Sequence, residues 1–182
     1  VLGIFFYVGA EVAIGSYLIN YFLDMNLDEG IKNSDTMSSI AASLLNSDLA
    51  SKDSKAIVGV FVTFYWSGAM IGRFVGAYLT RILKPGYVLA LFASFATALV
   101  LTSIGSQGVI AMWSILAVGL FNSIMFPTIF TLAINGLGAL KPKASGLLCT
   151  AIVGGAIIPP LFGYFSDIAG FKNALFLSLI HI

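Results

Sequence analysis

The chain has 182 residues, 59% of them hydrophobic and 9% charged, with a mean hydropathy of +1.00. A soluble domain carries roughly 25% charged residues, so a water-wetted globular surface is excluded, as is disorder, which needs low hydrophobicity and high charge. Nine basic against eight acidic side chains leave a net charge of +1, too little to attract nucleic acid, and one cysteine allows neither an internal disulfide nor a cysteine-based zinc site. The bilayer is the expected solvent, and the chain reads as an all-α membrane protein.

Residues 1–23 carry a single charge, Glu11, and are expected to form the first spanning helix. Residues 24–55 hold six acidic side chains, three lysines and many Ser and Asn. Such a segment cannot lie in hydrocarbon, so it is expected as an aqueous loop with a short surface helix near Ser39–Leu49. Residues 56–80 form the second span, with Arg73 inside its last two turns. No charge occurs in 85–140, and those 56 positions are too many for one crossing. The turn-forming Gly105-Ser106-Gln107-Gly108 divides them into helices at 86–104 and 109–134. A fifth span covers 144–166, and 172–182 begins a sixth. The sequence ends ten residues after its last charge, Lys172, so an incomplete last helix and a fragment of a longer protein are expected. The first residue is Val, inside an apolar run, and no signal peptide can be read.

Short loops give the orientation. Arg73, Arg81 and Lys84 lie between the second and third spans, and Lys141 and Lys143 between the fourth and fifth. Both groups fall on one side, which the positive-inside rule assigns to the cytoplasm. The acidic 24–55 loop then faces outside. Arg73 and Arg81 are expected as cytoplasmic anchors, or as a gate made with a carboxylate elsewhere.

Lipid is as apolar as leucine, so helices associate through close packing at small residues. Gly68, Gly72 and Gly76 recur at four-residue steps, and Gly155, Pro159 and Gly163 repeat that spacing in the fifth span. Each stripe reads as a packing seam, or as a seam that moves in a transport cycle. Gly154-Gly155 and Pro159-Pro160 mark a hinge or a packing bend. Pro127 is expected to kink the fourth span and free a carbonyl near the midplane.

Glu11 is the one acidic residue well inside a span. A carboxylate there costs a few kcal/mol, so such groups usually face a wet cavity. Hydrogen bonding to a ligand, proton or ion coupling, and pairing with another helix all remain open for it. Tyr7 and Gly15 share its face. Asn20 lies half a turn away and would join the same site only if the helix unwinds near Gly15-Ser16. In the fourth span Asn122, with Ser123, Thr128 and Thr131, offers donors and acceptors that suit a neutral, hydroxyl-rich ligand or an interhelical bond. Tyr65 and Trp66 could stack on a sugar ring or simply face neighbours. Cys149 reads as a small buried hydrophobe, and Asp167 with Lys172 as a loop cap or surface pair. His181, the sole histidine, can form neither a metal cluster nor a catalytic triad. No phosphate loop, dinucleotide fingerprint or nucleophile elbow occurs in a usable context, so neither catalysis nor a cofactor is expected.

Four strings are familiar together: Phe6-Tyr7-Val8-Gly9-Ala10-Glu11-Val12-Ala13-Ile14-Gly15-Ser16, Gly72-Arg73-Phe74-Val75-Gly76, Phe126-Pro127-Thr128-Ile129-Phe130-Thr131-Leu132 and Gly154-Gly155-Ala156-Ile157-Ile158-Pro159. In combination the chain, outside the 24–55 loop, resembles the C-terminal half of a major facilitator superfamily sugar permease. The fucose:proton symporter family, with its glucose/galactose transporter branch, is the group it looks most like. The resemblance implies a C-terminal six-helix half, its last helix truncated, of a twelve-helix transporter. Nested inverted repeats would relate spans one to three with four to six, making the first and fourth equivalent cavity-lining helices. It further implies a hexose or deoxyhexose moved with a proton by alternating access, through a bacterial inner membrane. The N-terminal half would supply the coupling carboxylates. Glutamine in the fucose branch at the position of Glu11 favours an amide-like hydrogen-bonding role there. The alternative is a superfamily member with a non-sugar cargo, such as a drug or nucleoside.

Overall fold

The computed structural model describes residues 1–181; the side chains of residue 50 and of residues 177–182, that of His181 among them, lie outside the description. The chain is helical throughout its described elements: α1 Leu2–Asp24, α2 Leu27–Lys32, α3 Asp35–Leu45, α4 Ser54–Gly59, α5 Val62–Ile82, α6 Pro85–Gly105, α7 Gly108–Asn122, α8 Met125–Ile134, α9 Lys141–Thr150, α10 Gly154–Ala169 and α11 Phe171–His181. Short 3₁₀ turns occur at Leu49–Ser51, Gly138–Leu140 and Ala151–Val153. Five stretches are long and apolar enough to cross a bilayer: Leu2–Asp24, Ser54–Ile82, Pro85–Gly105, Gly108–Ile134 and Gly138–Ala169. The protein is an integral membrane protein.

Local sequence sets the ends and breaks. Pro85 opens α6 in its first turn, where a missing N–H costs no hydrogen bond. Gly170, with φ +84°, stops α10 in a backbone conformation that favours glycine. The fourth crossing breaks between α7 and α8 because Pro127 has no N–H to offer the carbonyl one turn back. Pro159 and Pro160, by contrast, sit inside a continuous α10. Within the polar loop the surface helix lies earlier than composition suggested. It starts at Asp35 after an extended Ser34 and ends where Asn46 turns left-handed, φ 49°. A further helix, α2, precedes it and buries Leu27 and Ile31. The hydroxyl of Ser54 donates to Asp28 Oδ2 at 2.6 Å, tying that loop to the start of the second crossing.

The crossings interlock in a reciprocal way. The first packs against the fifth and sixth helices, α1 on α10 and α11, while the fourth packs against the second and third, α7 on α5 and α6. Each three-helix unit thus inserts its leading helix between the later helices of the other, the arrangement expected of inverted repeats. Both insertions run along glycines. A Cβ at Gly72 would overlap the Leu120 carbonyl, and one at Gly76 would lie 2.6 Å from the Ile124 side chain. On the other side, a Cβ at Gly154 would overlap the Phe5 carbonyl, and one at Gly163 would overlap the Tyr17 hydroxyl. Such contacts bring helix axes close enough for dispersion to hold them where lipid supplies no hydrophobic drive. Near the end of the bundle away from the basic loops, Tyr21 donates to the Ser103 carbonyl at 3.1 Å, joining α1 to α6.

Candidate functional site

A cavity of about 400 Å³ opens between α1, α5, α8 and the turn before α10. Its wall is Val8 and Glu11 from α1, Arg73 from α5, Ser123, Phe126 and Pro127 around the break in the fourth crossing, and Ile152. Glu11 is half-buried, and Arg73 is exposed toward this space. The guanidinium lies within electrostatic reach of the Glu11 carboxylate. Nine residues of α5 separate Arg73 from Ile82, about 13 Å along the helix. Arg73 therefore belongs to the interior of the crossing, whereas Arg81 stands one residue from its end. Each charge is expensive in hydrocarbon on its own, and the shared cavity gives each an opposite partner. Arginine in such a space offers fixed donors and the carboxylate offers acceptors, so the wall can bond both kinds of atom of a polyhydroxylated solute.

Behind this wall lies a second polar group. Asn122, the last residue of α7, is 1% exposed. Its backbone carbonyl accepts a 2.6 Å hydrogen bond from the Tyr7 hydroxyl of α1. Among the described residues neither atom of its side-chain amide has a hydrogen-bond partner. The Tyr65 hydroxyl of α5 approaches that amide without reaching hydrogen-bond geometry. Nearby hydroxyls are spent locally: Ser123 donates to Leu120, Thr128 to Ile124 and Thr131 to Pro127, each on its own helix. An unpaired buried amide costs about 1–3 kcal/mol, so this orphan is unusual.

The remaining candidates are placed apart from the cavity wall. Tyr65 is 2% exposed and packs edge-on against Trp66, ring centroids 5.4 Å apart, while Trp66 itself is 62% exposed. This pair packs against α1 at Gly15, where a Cβ would lie in ordinary contact, 3.6 Å from the Trp66 ring. Because α1 is continuous from Leu2 to Asp24, with no unwinding at Gly15-Ser16, Asn20 stays exposed and does not join Glu11. Cys149 is exposed rather than buried, since α9 turns that face outward. Asp167 is also exposed, and Lys172 donates instead to the Ser106 carbonyl at 2.6 Å. Among the described residues no cluster of His, Cys, Asp or Glu could hold a metal. The apolar wall residues Val8, Phe126 and Ile152 were not singled out by sequence; Val8 alone had a signal, its place one turn before Glu11.

No protein-family profile matches the chain. Individual relatives do. Over 98% of its length the chain is 42% identical to a glucose/galactose transporter of Brucella abortus, and over 91% it is 43% identical to a putative glucose/galactose transporter of Helicobacter pylori. It is 34% identical, over 93% of its length, to the L-fucose-proton symporter of Escherichia coli. These alignments cover 38%, 35% and 33% of the respective relatives, so the chain spans little more than a third of their length. A crystal structure of the transporter FucP in its outward conformation superposes with a TM-score of 0.79 at 29% identity, covering 99% of this chain and 38% of that one. The interlocked helices and this likeness define a class: the chain belongs to the major facilitator superfamily and is the C-terminal half of that transporter fold. Its relatives here carry the names glucose/galactose transporter and L-fucose-proton symporter. Those relatives are transporters, not enzymes.

Proposed function

We propose that this chain is the C-terminal half of a proton-coupled symporter that carries a hexose or deoxyhexose by alternating access across a bacterial inner membrane. The observation that carries the reading is that Glu11 and Arg73, opposite charges within the spanning helices, line one cavity, in a chain whose relatives are named for glucose, galactose and fucose transport. In this reading the sugar lies between this half and an N-terminal half, with its hydroxyls bonded by Glu11 and, once exposed, by Asn122. Tyr65 and Trp66 form an aromatic flank, Asn20 belongs to the outer approach, and Tyr7 supports the site from behind. The seams at Gly68, Gly72 and Gly76 and at Gly154, Gly155 and Pro159, together with the break at Pro127, let the helices rock. Arg81 anchors the cytoplasmic end. Proton and sugar are the partners, with coupling carboxylates in the other half.

Uptake of labelled hexose by proteoliposomes holding the full-length transporter tests this. Glu11→Ala is expected to abolish uptake with membrane insertion intact. Glu11→Gln, which keeps an acceptor oxygen, is expected to retain a measurable part of it. Unchanged uptake in Glu11→Ala would refute the assignment.

A further inference from the structure

Tyr7 shares a helix face with Glu11, which makes it a natural candidate for a direct contact with cargo. The geometry speaks for a different role. A phenol has one proton to give, and Tyr7 gives it to the Asn122 carbonyl at 2.6 Å inside a buried contact. Tyr7 is 2% exposed and does not line the cavity. Its acceptor sits where α7 ends and the fourth crossing breaks, so the bond fixes the helix terminus that carries the Asn122 side chain. That side chain is the other anomaly: 1% exposed, with neither amide atom partnered. Its chain neighbour Ser123 is part of the cavity wall. A buried polar atom left unpaired calls for a partner that arrives at some stage of function.

Resting on the sugar-transport reading above, we propose that Tyr7 is a positioning residue that acts through Asn122. By clamping the end of α7 to α1 it sets the direction of the Asn122 amide, and that amide, uncovered as α5 moves aside with the clamp intact, discriminates one hydroxyl of the sugar. The bond joins the leading helices of the two interlocked repeats, so the clamp holds the amide in place while the helices around it move.

The test uses the full-length transporter in proteoliposomes and a panel of monodeoxy hexoses, each lacking one hydroxyl. For the wild type, one analogue is expected to show a KM about tenfold above its parent sugar, a change equal to about 1.4 kcal/mol. Asn122→Ala and Tyr7→Phe are each expected to flatten discrimination at that same hydroxyl, and the double variant to be no worse than Asn122→Ala alone, the non-additivity of residues acting as a unit. Losses that multiply, or a Tyr7→Phe effect at a different hydroxyl, would show Tyr7 acting through the neighbouring Glu11 or touching cargo directly, and either would overturn the proposal. So would a Tyr7→Phe protein with wild-type discrimination. If Tyr7→Phe fails to insert, 3-fluorotyrosine at position 7 keeps the packing and alters donor strength; discrimination at that hydroxyl then shifts, and an unshifted profile counts against the clamp. A wild-type transporter inert toward every hexose would instead refute the functional reading, and this assignment with it.

Discussion

The glycine stripe of α5 permits a graded experiment within one helix. Replacing each glycine by alanine adds the same methyl group to Gly68, Gly72 and Gly76, but the new atom meets three different environments. At Gly68 the nearest heavy atom is 3.5 Å away, the Leu120 nitrogen, an ordinary contact. At Gly76 it meets the Ile124 side chain at 2.6 Å, where a side chain can yield in part. At Gly72 it overlaps the Leu120 carbonyl oxygen and lies 2.7 Å from the carbonyl carbon and from Ser123 Oγ. A backbone carbonyl cannot rotate away, so α5 and α7 must separate. Overpacking costs about 1–3 kcal/mol, while the helix preference for alanine over glycine returns at most about 1 kcal/mol. Gly68→Ala is therefore expected to be neutral or slightly stabilising, Gly76→Ala intermediate, and Gly72→Ala destabilising by about 2 kcal/mol. Thermal unfolding of the purified full-length transporter in detergent, followed by intrinsic fluorescence, reads the order directly. Equal melting temperatures for the alanine variants at 68 and 72 would refute the close approach on which the interlocked fold depends.

Three further outcomes are expected. Arg73→Gln removes the positive charge that shares the cavity wall with Glu11, and a carboxylate left alone inside the membrane is costly; initial uptake rates should fall by about tenfold, equal to about 1.4 kcal/mol, and the Glu11→Gln/Arg73→Gln double variant should recover part of that loss. Tyr21→Phe removes the bond to Ser103 between α1 and α6 and should lower stability by about 1 kcal/mol, measured as the midpoint of denaturant unfolding. At the membrane surface, the Ser54 hydroxyl holds the Asp28 carboxyl below its ordinary range, so its contribution to stability is present above the unfolded pKa and lost as pH falls through the folded one. Ser54→Ala should raise the Asp28 pKa and weaken that acid-limb dependence, as read by carboxyl-carbon NMR titration.

The architecture was legible because hydrocarbon tolerates few charges. The uncharged stretch of residues 85–140, cut by Gly105-Ser106-Gln107-Gly108, coincides with α6 on one side of that cut and with α7 and α8 on the other, and four-residue glycine spacing exposes a helix face whatever covers it. What covers it was not legible: the Leu120 carbonyl reaches Gly72 through tertiary packing. The same limit applies to the cavity. Composition marked Glu11 as unusual, yet Arg73, 62 positions away, comes to it only because α1 and α5 converge beside α8. Tyr65 and Trp66 are sequence neighbours with opposite fates, 2% and 62% exposed, since one helical step turns a side chain by about 100°. The orphaned Asn122 amide left no trace in the sequence, because its isolation depends on which partners fail to reach it.

The central claim is that the Glu11–Arg73 cavity lies on the path of the sugar. Cys149 is exposed and would react, so it is first replaced by serine, and Ile152, an exposed residue of the cavity wall, is changed to cysteine. Alkylation of Ile152→Cys by a membrane-permeant maleimide is then followed in the full-length transporter with and without hexose. The account predicts that labelling slows several-fold in the presence of a transported hexose and not with a sugar that is not carried. Labelling at the same rate under all conditions, in a transporter that still takes up hexose, would contradict it.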